Sequence, residues 1–321
     1  MDDNFKSRII TFLNGLAIIF ILICLGFFFC AYKSSSYVPE KNIIVKRTDD
    51  EGFSRLLTEE KIAPCYTIAK IFVKIARFRG YGAKFGEYAL PRGVSLSEAV
   101  EIIDSGNVVI HKITIPEGFS SVQIIKRLEK NEDLTGEAGD APPEGVVMPD
   151  TYHFKYPTSK QEIISMARKA MREFLQQEWP KRSPLCTLKN PWEALILASI
   201  VEKETNLEKE MVAGVYLHRL KIGMKLQACP TVIYAHKKGE SLGHPLRYDE
   251  LKINDPYNTY LYEGLPPAPI SNPGRASILA VLHPEETDNL FFVFAGNGRH
   301  VFSKTFEEHK RNIAKIRNTA F

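Results

Sequence analysis

From Ile9 to Tyr32 the chain is an almost unbroken apolar run, interrupted only by Thr11, Asn14, Gly15 and small polarizable groups. About 20 residues of helix cross a bilayer, so residues 9–32 are expected to form one transmembrane helix. A cleavable signal peptide has a shorter apolar stretch and a small-residue cleavage site. Here Gly26 to Cys30 reads Gly-Phe-Phe-Phe-Cys, too bulky for such a site, and the segment reads as a retained signal anchor. Lys6 and Arg8 on one side face Lys33 and Lys41 on the other, so the positive-inside rule separates the two orientations weakly. The short tail, residues 1–8, favours a cytoplasmic N-terminus. The expectation is a single-pass protein of the cell inner (plasma) membrane with its remaining bulk periplasmic or extracytoplasmic.

At 321 residues the chain exceeds one typical domain and can bury a substantial core. Its net charge of +4 is too slight to argue for nucleic acid. Of five cysteines, Cys24 and Cys30 fall in the apolar run, leaving Cys65, Cys186 and Cys229. An odd, scattered set is not a disulfide framework, and free buried thiols acting as small hydrophobes are expected. Neither Cys-x-x-Cys nor His-Glu-x-x-His occurs, and the eight histidines are dispersed. No metal and no cofactor are predicted.

The segment Pro191 to Val201 is strongly apolar and opens with Asn190 as N-cap and Pro191 at the first helical position, where a missing N–H costs nothing. It predicts a helix over 191–203 that runs into Val201-Glu202-Lys203-Glu204-Thr205. At about 100° per residue, Leu197, Ile200, Val201 and Glu204 share one stripe, and Glu202 lies on nearly the opposite side. Glu204 is therefore the acid expected to be desolvated, which raises a carboxyl pKa as a general acid at neutral pH requires. An acid so placed, outside a membrane, points to glycoside chemistry. The bland alternative is a core helix ending in a solvated charged face.

Two segments repeat at a 25-residue offset, Tyr88 to Val100 and Ile113 to Ile125. Each reads as a short strand, a Pro-x-Gly turn and a helix opened by a capping box, Ser95 with Glu98 and Ser120 with Gln123, with Val94 and Phe119 in the staple position. Asn131 to Pro143 reads as a linker or exposed loop. Beyond it, helices are predicted at Gln161–Gln177 and at Leu207–Ile222, the latter with Asn206 as cap and Gly223 as stop. Strands Leu290–Phe294 and His300–Phe302 flank the hairpin signal Gly296-Asn297-Gly298, and Thr305 with Glu308 caps a last helix. The class is α+β.

Further motifs accompany the Glu-Lys-Glu-Thr segment: Glu144 to Tyr152, Leu226 to Tyr234, Tyr257-Asn258-Thr259-Tyr260, Gly264-Leu265-Pro266-Pro267 and Asn272-Pro273-Gly274. In this order and spacing the set resembles the MltG (YceG-like) family of endolytic murein transglycosylases, from about Gly86 to the C-terminus and most strongly from Glu144 to His309. The resemblance implies a membrane-anchored enzyme that cleaves nascent peptidoglycan strands internally and leaves a 1,6-anhydro-N-acetylmuramic acid end. It implies an α+β architecture of transmembrane helix, small LysM-like module (33–143, with the juxtamembrane stretch and linker) and YceG-like catalytic domain (144–321); a spacer that lifts the catalytic domain off the membrane is the alternative to a glycan-binding module. It places the catalytic acid in this motif, and Glu204-Thr205 also resembles the Glu-Ser signature of soluble lytic transglycosylases. Peptidoglycan strands, the membrane and peptidoglycan synthases are the implied partners. Two departures stand out: Cys229 precedes Pro230 where many relatives carry Asp, and Ala268 interrupts a stretch that more often reads Gly-Leu-Pro-Pro-Gly.

Gln227 and Asn258 are candidates to hydrogen-bond N-acetyl groups, Tyr257 and Tyr260 to stack on sugar faces, and Glu202 and Thr205 to support the acid. Equally, Asn258 suits a turn cap and the tyrosines suit core. His283 and His300 are candidates by resemblance, with a structural role as the alternative. Gly239-Glu240-Ser241-Leu242-Gly243 matches a nucleophile elbow, and Asp255 and His283 would complete an esterase triad. Its polar flanks read instead as a surface loop. A catalytically silent wall-binding or assembly protein of the same fold is the third alternative.

Overall fold

The computed structural model describes residues 3–33, 38–296 and 298–319. In chain order these form α1 (Asp3–Tyr32), β1 (Lys41–Val45), α2 (Asp50–Glu59), α3 (Tyr66–Phe78), β2 (Gly86–Leu90), α4 (Leu96–Ser105), β3 (His111–Thr114), α5 (Ser121–Glu129), β4 (Thr151–Phe154), α6 (Lys160–Glu178), α7 (Pro191–Glu204), α8 (Lys209–Lys221), α9 (Cys229–Lys237), α10 (Arg275–Leu282), β5 (Phe291–Gly296), β6 (Arg299–Ser303) and α11 (Phe306–Thr319). Mixed helix and strand agree with the α+β expectation. The stretch Ser7–Tyr32 of α1 is long and apolar enough to cross a membrane. Asn297, the centre of the predicted hairpin turn, lies outside the described residues, as do Ser34–Tyr37 of the juxtamembrane stretch.

The chain divides into two compact units: residues 1–111 with 154–157, and residues 112–153 with 158–321. In the first, β1 and β2 pair antiparallel in the register Lys41↔Leu90 to Val45↔Gly86. Ile43, Val45, Phe53, Leu57, Phe72, Tyr88, Leu90, Leu96 and Ile103 are buried together. Helices α2 and α3 between these strands were not anticipated from the sequence. Both capping boxes of the repeat are present, at Ser95 and Ser120. The repeated strands do not pair with each other, however: β2 joins β1, and β3 joins β4. Residues 131–143 form the exposed loop of the two expected alternatives, anchored rather than free as a linker would be. Thr135 and Ser159 bridge in parallel, and Leu134 and Ala138 are buried.

In the second unit the core is built around α7. Every residue from Ala194 to Val201 is buried, because α8 and α10 pack on this helix and share its core cluster with α6. The caps decide its ends: the Asn190 side chain accepts from Glu193 N–H, and Thr205 takes extended backbone after Glu204. Helix α8 starts two residues later than expected, at Lys209, and Asn206 does not cap it. Thr205 Oγ1 accepts from Leu207 and Glu208 N–H instead, at 3.3 and 3.4 Å. Strands β5 and β6 form an antiparallel hairpin in the register Phe292↔Phe302 and Phe294↔His300.

Candidate active site

Glu204 ends α7 at the wall of a cavity of about 440 Å³, which is also lined by Tyr216, Arg219, Gln227, Cys229, Tyr260, Phe291, Phe292, Phe294, His300, Phe306 and His309. That volume is in the range of small-ligand sites. Tyr216 is 1% exposed and donates its hydroxyl to Glu204 Oε1 at 2.9 Å. Burial pushes the Glu204 carboxyl up to about 7, against the opposing effects of the Tyr216 hydrogen bond and the Arg219 charge. The acid therefore holds its proton near neutrality, while two neighbours stand ready to stabilise the carboxylate.

Arg219 is a buried cation held by carbonyls: its Nε donates to Leu290 O at 2.6 Å and its Nη1 to Leu226 O at 2.5 Å. Its guanidinium lies 5.3 Å from the centre of the Phe291 ring. No carboxylate pairs with it among the described residues, so its field acts on Glu204 at longer range. Gln227 lines the cavity in a left-handed backbone conformation, φ 50°, which is costly for a non-glycine residue and is held by its N–H bond to Thr259 O at 3.1 Å. Cys229 Sγ lies 3.1 Å from the Tyr260 hydroxyl, and burial pushes its thiol pKa up. A neutral thiol thus stands in the cavity wall beside Tyr260. His300 lines the cavity with Nδ1 3.0 Å from Glu208 Oε2, and its N–H donates to the same oxygen. His309 stacks on Phe291 with ring centres 5.3 Å apart.

Glu202 points elsewhere and is buried as well. Its carboxylate is 5% exposed and accepts from Gly274 N–H at 2.9 Å and Ser277 Oγ at 2.6 Å. Lys209 Nζ sits 3.2 Å from its other oxygen. The group caps the start of α10 and ties α7, α8 and α10 together. Thr205 is likewise spent on the α7–α8 turn.

Asn258 is fully buried and does not reach the cavity. Its Nδ2 donates to Leu251 O and Ile253 O, and its Oδ1 accepts from Tyr260 N–H, which leaves no N–H donor for an N-acetyl group. Tyr257 packs against Tyr234, ring centres 4.8 Å apart, and is absent from the cavity wall. His283 is exposed at the end of α10. Ser241 lies on an exposed loop after helix α9, with its hydroxyl accepting from Gly243 N–H. An elbow needs a strand before it, and no hydrogen bond joins Ser241, Asp255 and His283 among the described residues. Cys65 is exposed and Cys186 is core, whereas Cys229 is exposed as a residue but turns its thiol toward Tyr260 in the cavity wall.

The Asn-Pro-Gly motif has a structural explanation. Asn272 donates to Phe119 O, Ser121 Oγ and Glu144 Oε2 and accepts from Val147 N–H. A side chain at Gly274 would collide with the Glu117 carboxylate. Glu144, which burial also pushes up to about 7, belongs to this junction and not to the cavity.

The YceG-like family model matches residues 46–315, a span that contains every residue of the cavity. The chain belongs to the YceG-like family. It is 32% identical to an endolytic murein transglycosylase of Bacillus subtilis (strain 168), across 75% of this chain and 76% of that protein. A protein of the same description from Streptococcus pneumoniae (serotype 2, strain D39) is 27% identical across 99% of this chain, which spans 66% of that relative's length. The structure of a yceG-like protein from Listeria monocytogenes matches with a TM-score of 0.50 at 28% identity, over 85% of this chain and 98% of that one. Tyr216, Arg219, His309 and the four phenylalanines of the cavity were missed from sequence. Arg219 and Tyr216 carry no local signal that sets them apart from the other polar residues of α8, and the phenylalanines converge only when β5, β6 and α11 fold back.

Proposed function

We propose that this chain is a membrane-anchored endolytic lytic transglycosylase. It cleaves the β-1,4 bond between N-acetylmuramic acid and N-acetylglucosamine in nascent peptidoglycan strands, with Glu204 as its single general acid and base. The observation that carries this reading is the lining of the cavity, where Glu204 is the only carboxyl among the described residues. Two relatives described as endolytic murein transglycosylases support the substrate class.

A hydrolase needs a second carboxyl to activate water or to act as nucleophile. An intramolecular attack does not. With Oε1 accepting from Tyr216, Oε2 carries the transferable proton. Glu204 gives that proton to the bridging oxygen as its bond to muramyl C1 breaks. The muramyl C6 hydroxyl bonds to C1, and its proton returns to Glu204. No water is consumed, and the tethered nucleophile benefits from high effective molarity. Arg219 favours the carboxylate that exists between the two transfers. The phenylalanines and Tyr260 offer apolar faces for sugar rings. Residues 9–32 hold the enzyme in the inner membrane with its catalytic unit outside the cytoplasm. The LysM-like module expected in 33–143 serves as a glycan holder, and synthases of nascent strands are the natural neighbours.

The test is Glu204→Gln in the full-length protein, which keeps shape and the Tyr216 hydrogen bond. Cleavage of glycan strands is expected to fall by about two to four orders of magnitude while strand binding persists. Full cleavage by the variant would remove Glu204 from the mechanism. Absence of cleavage by the unmodified protein would favour the silent wall-binding alternative.

A further inference from the structure

Helix α3 is apolar on two separate faces. Ala69, Phe72, Val73 and Ala76 are buried in the core of the first unit, as an amphipathic helix requires. On a different side Ile71, Ile75 and Phe78, spaced four and three apart, form one line along the helix and are 45%, 41% and 94% exposed. Single exposed aliphatic residues are ordinary, whereas a continuous line ending in a bare phenyl ring marks an interaction face. Lys70, Lys74 and Arg77 run alongside it, Arg79 follows the last turn, and residues 66–79 contain no acid. Lys70 lies over the Tyr66 ring and Arg77 meets Asp50 at 4.0 Å. Lys74 and Arg79 have no ion-pair partner among the described residues.

The neighbouring element indicates what covers this face. The rings of Phe27 and Tyr32 on α1 lie 6.4 and 6.3 Å from the ring of Phe72 on α3, and Ala31 is buried in the same core. Tyr32 and Lys33 stand where the apolar span ends, the level at which Tyr and Lys mark a membrane surface. A helix held against the last turns of a spanning helix, apolar on its outer face and cationic beside it, lies at headgroup depth.

We propose that α3 is an interfacial helix: Ile71, Ile75 and Phe78 enter the outer boundary of the bilayer that α1 crosses, and Lys74 and Arg79 meet anionic lipid phosphates. The proposal rests on the reading of α1 as an anchor and is independent of the chemistry at Glu204. It gives the first unit a second attachment to the membrane besides α1.

The experiment uses the full chain in nanodiscs of phosphatidylcholine, with and without phosphatidylglycerol, and a Phe78→Trp variant as reporter against the parent's own tryptophans. Lipids brominated near the headgroup are expected to quench the added emission more than lipids brominated at the chain ends, since such helices sit about 5–10 Å into the boundary. Phosphatidylglycerol should deepen the quenching, and Ile71→Asp with Ile75→Asp should abolish it. Quenching no greater than in the parent would overturn the proposal. Quenching indifferent to phosphatidylglycerol would overturn the phosphate contacts. Emission shielded from bromine and restored to solvent on dilution would assign the face to a second copy of the chain instead.

Discussion

Tyr216 spends its single donor on Glu204, and the sign of its effect is testable. The bond favours the carboxylate, so Tyr216→Phe should raise the Glu204 pKa further above about 7. The proposed general acid must be protonated to act, and the high-pH limb of kcat/KM should therefore move to higher pH in the variant. A uniform loss of activity with an unmoved limb would leave Tyr216 a packing residue. Stability follows the same carboxyl. A folded-state pKa raised from 4.5 to about 7 contributes stability below pH 4.5 that is lost as pH rises through 7. Glu204→Gln should match the parent's thermal stability at pH 4 and exceed it at pH 8 by up to about 3 kcal/mol. Equal melting curves at both pH values would contradict the burial of an ionising group there. The direction of Glu204 was legible in sequence because 100° per residue separates it from Glu202. That Glu202 is also buried was not legible, since its partners Gly274 and Ser277 arrive from a distant part of the chain.

At the scale of elements, the junction of α7, α8 and α10 hangs on the ion pair of Glu202 with Lys209. Removing one partner of a buried pair leaves an uncompensated charge, and Glu202→Gln should cost about 3 kcal/mol of stability while the folded fraction keeps most of its kcat. Calorimetry and active-site titration together separate the two. A dead but stable variant would make Glu202 a catalytic group. Helix boundaries governed by local caps, such as Ser95, Ser120, Asn190 and Thr305, were readable because the cap and its target lie within one turn. Asn206 failed as a cap because Thr205, one residue earlier, already serves the N–H groups of Leu207 and Glu208. Asn258 was legible only as one of two alternatives, because a carboxamide facing its own turn and one facing a ligand have the same sequence.

For the whole molecule, one apolar helix and one acid set the account. The stretch Ser7–Tyr32 predicts that the protein stays with membranes through high salt and alkaline carbonate washing, as an integral span does. Release by carbonate would remove the anchor. The α+β class followed from the alternation of short strands and capped helices, whereas the division into units at 111/112 did not. It depends on which sheet each repeated strand joins, and pairing across long separations leaves no local mark. The central claim is that Glu204 directs an attack by the substrate's own hydroxyl. Its most direct test is digestion of glycan strands in ¹⁸O-enriched water followed by mass spectrometry of the new ends. The expected product is a 1,6-anhydro end, lighter by one water than a reducing sugar and free of ¹⁸O. A reducing end carrying ¹⁸O would identify a hydrolase with a second activating group and contradict it.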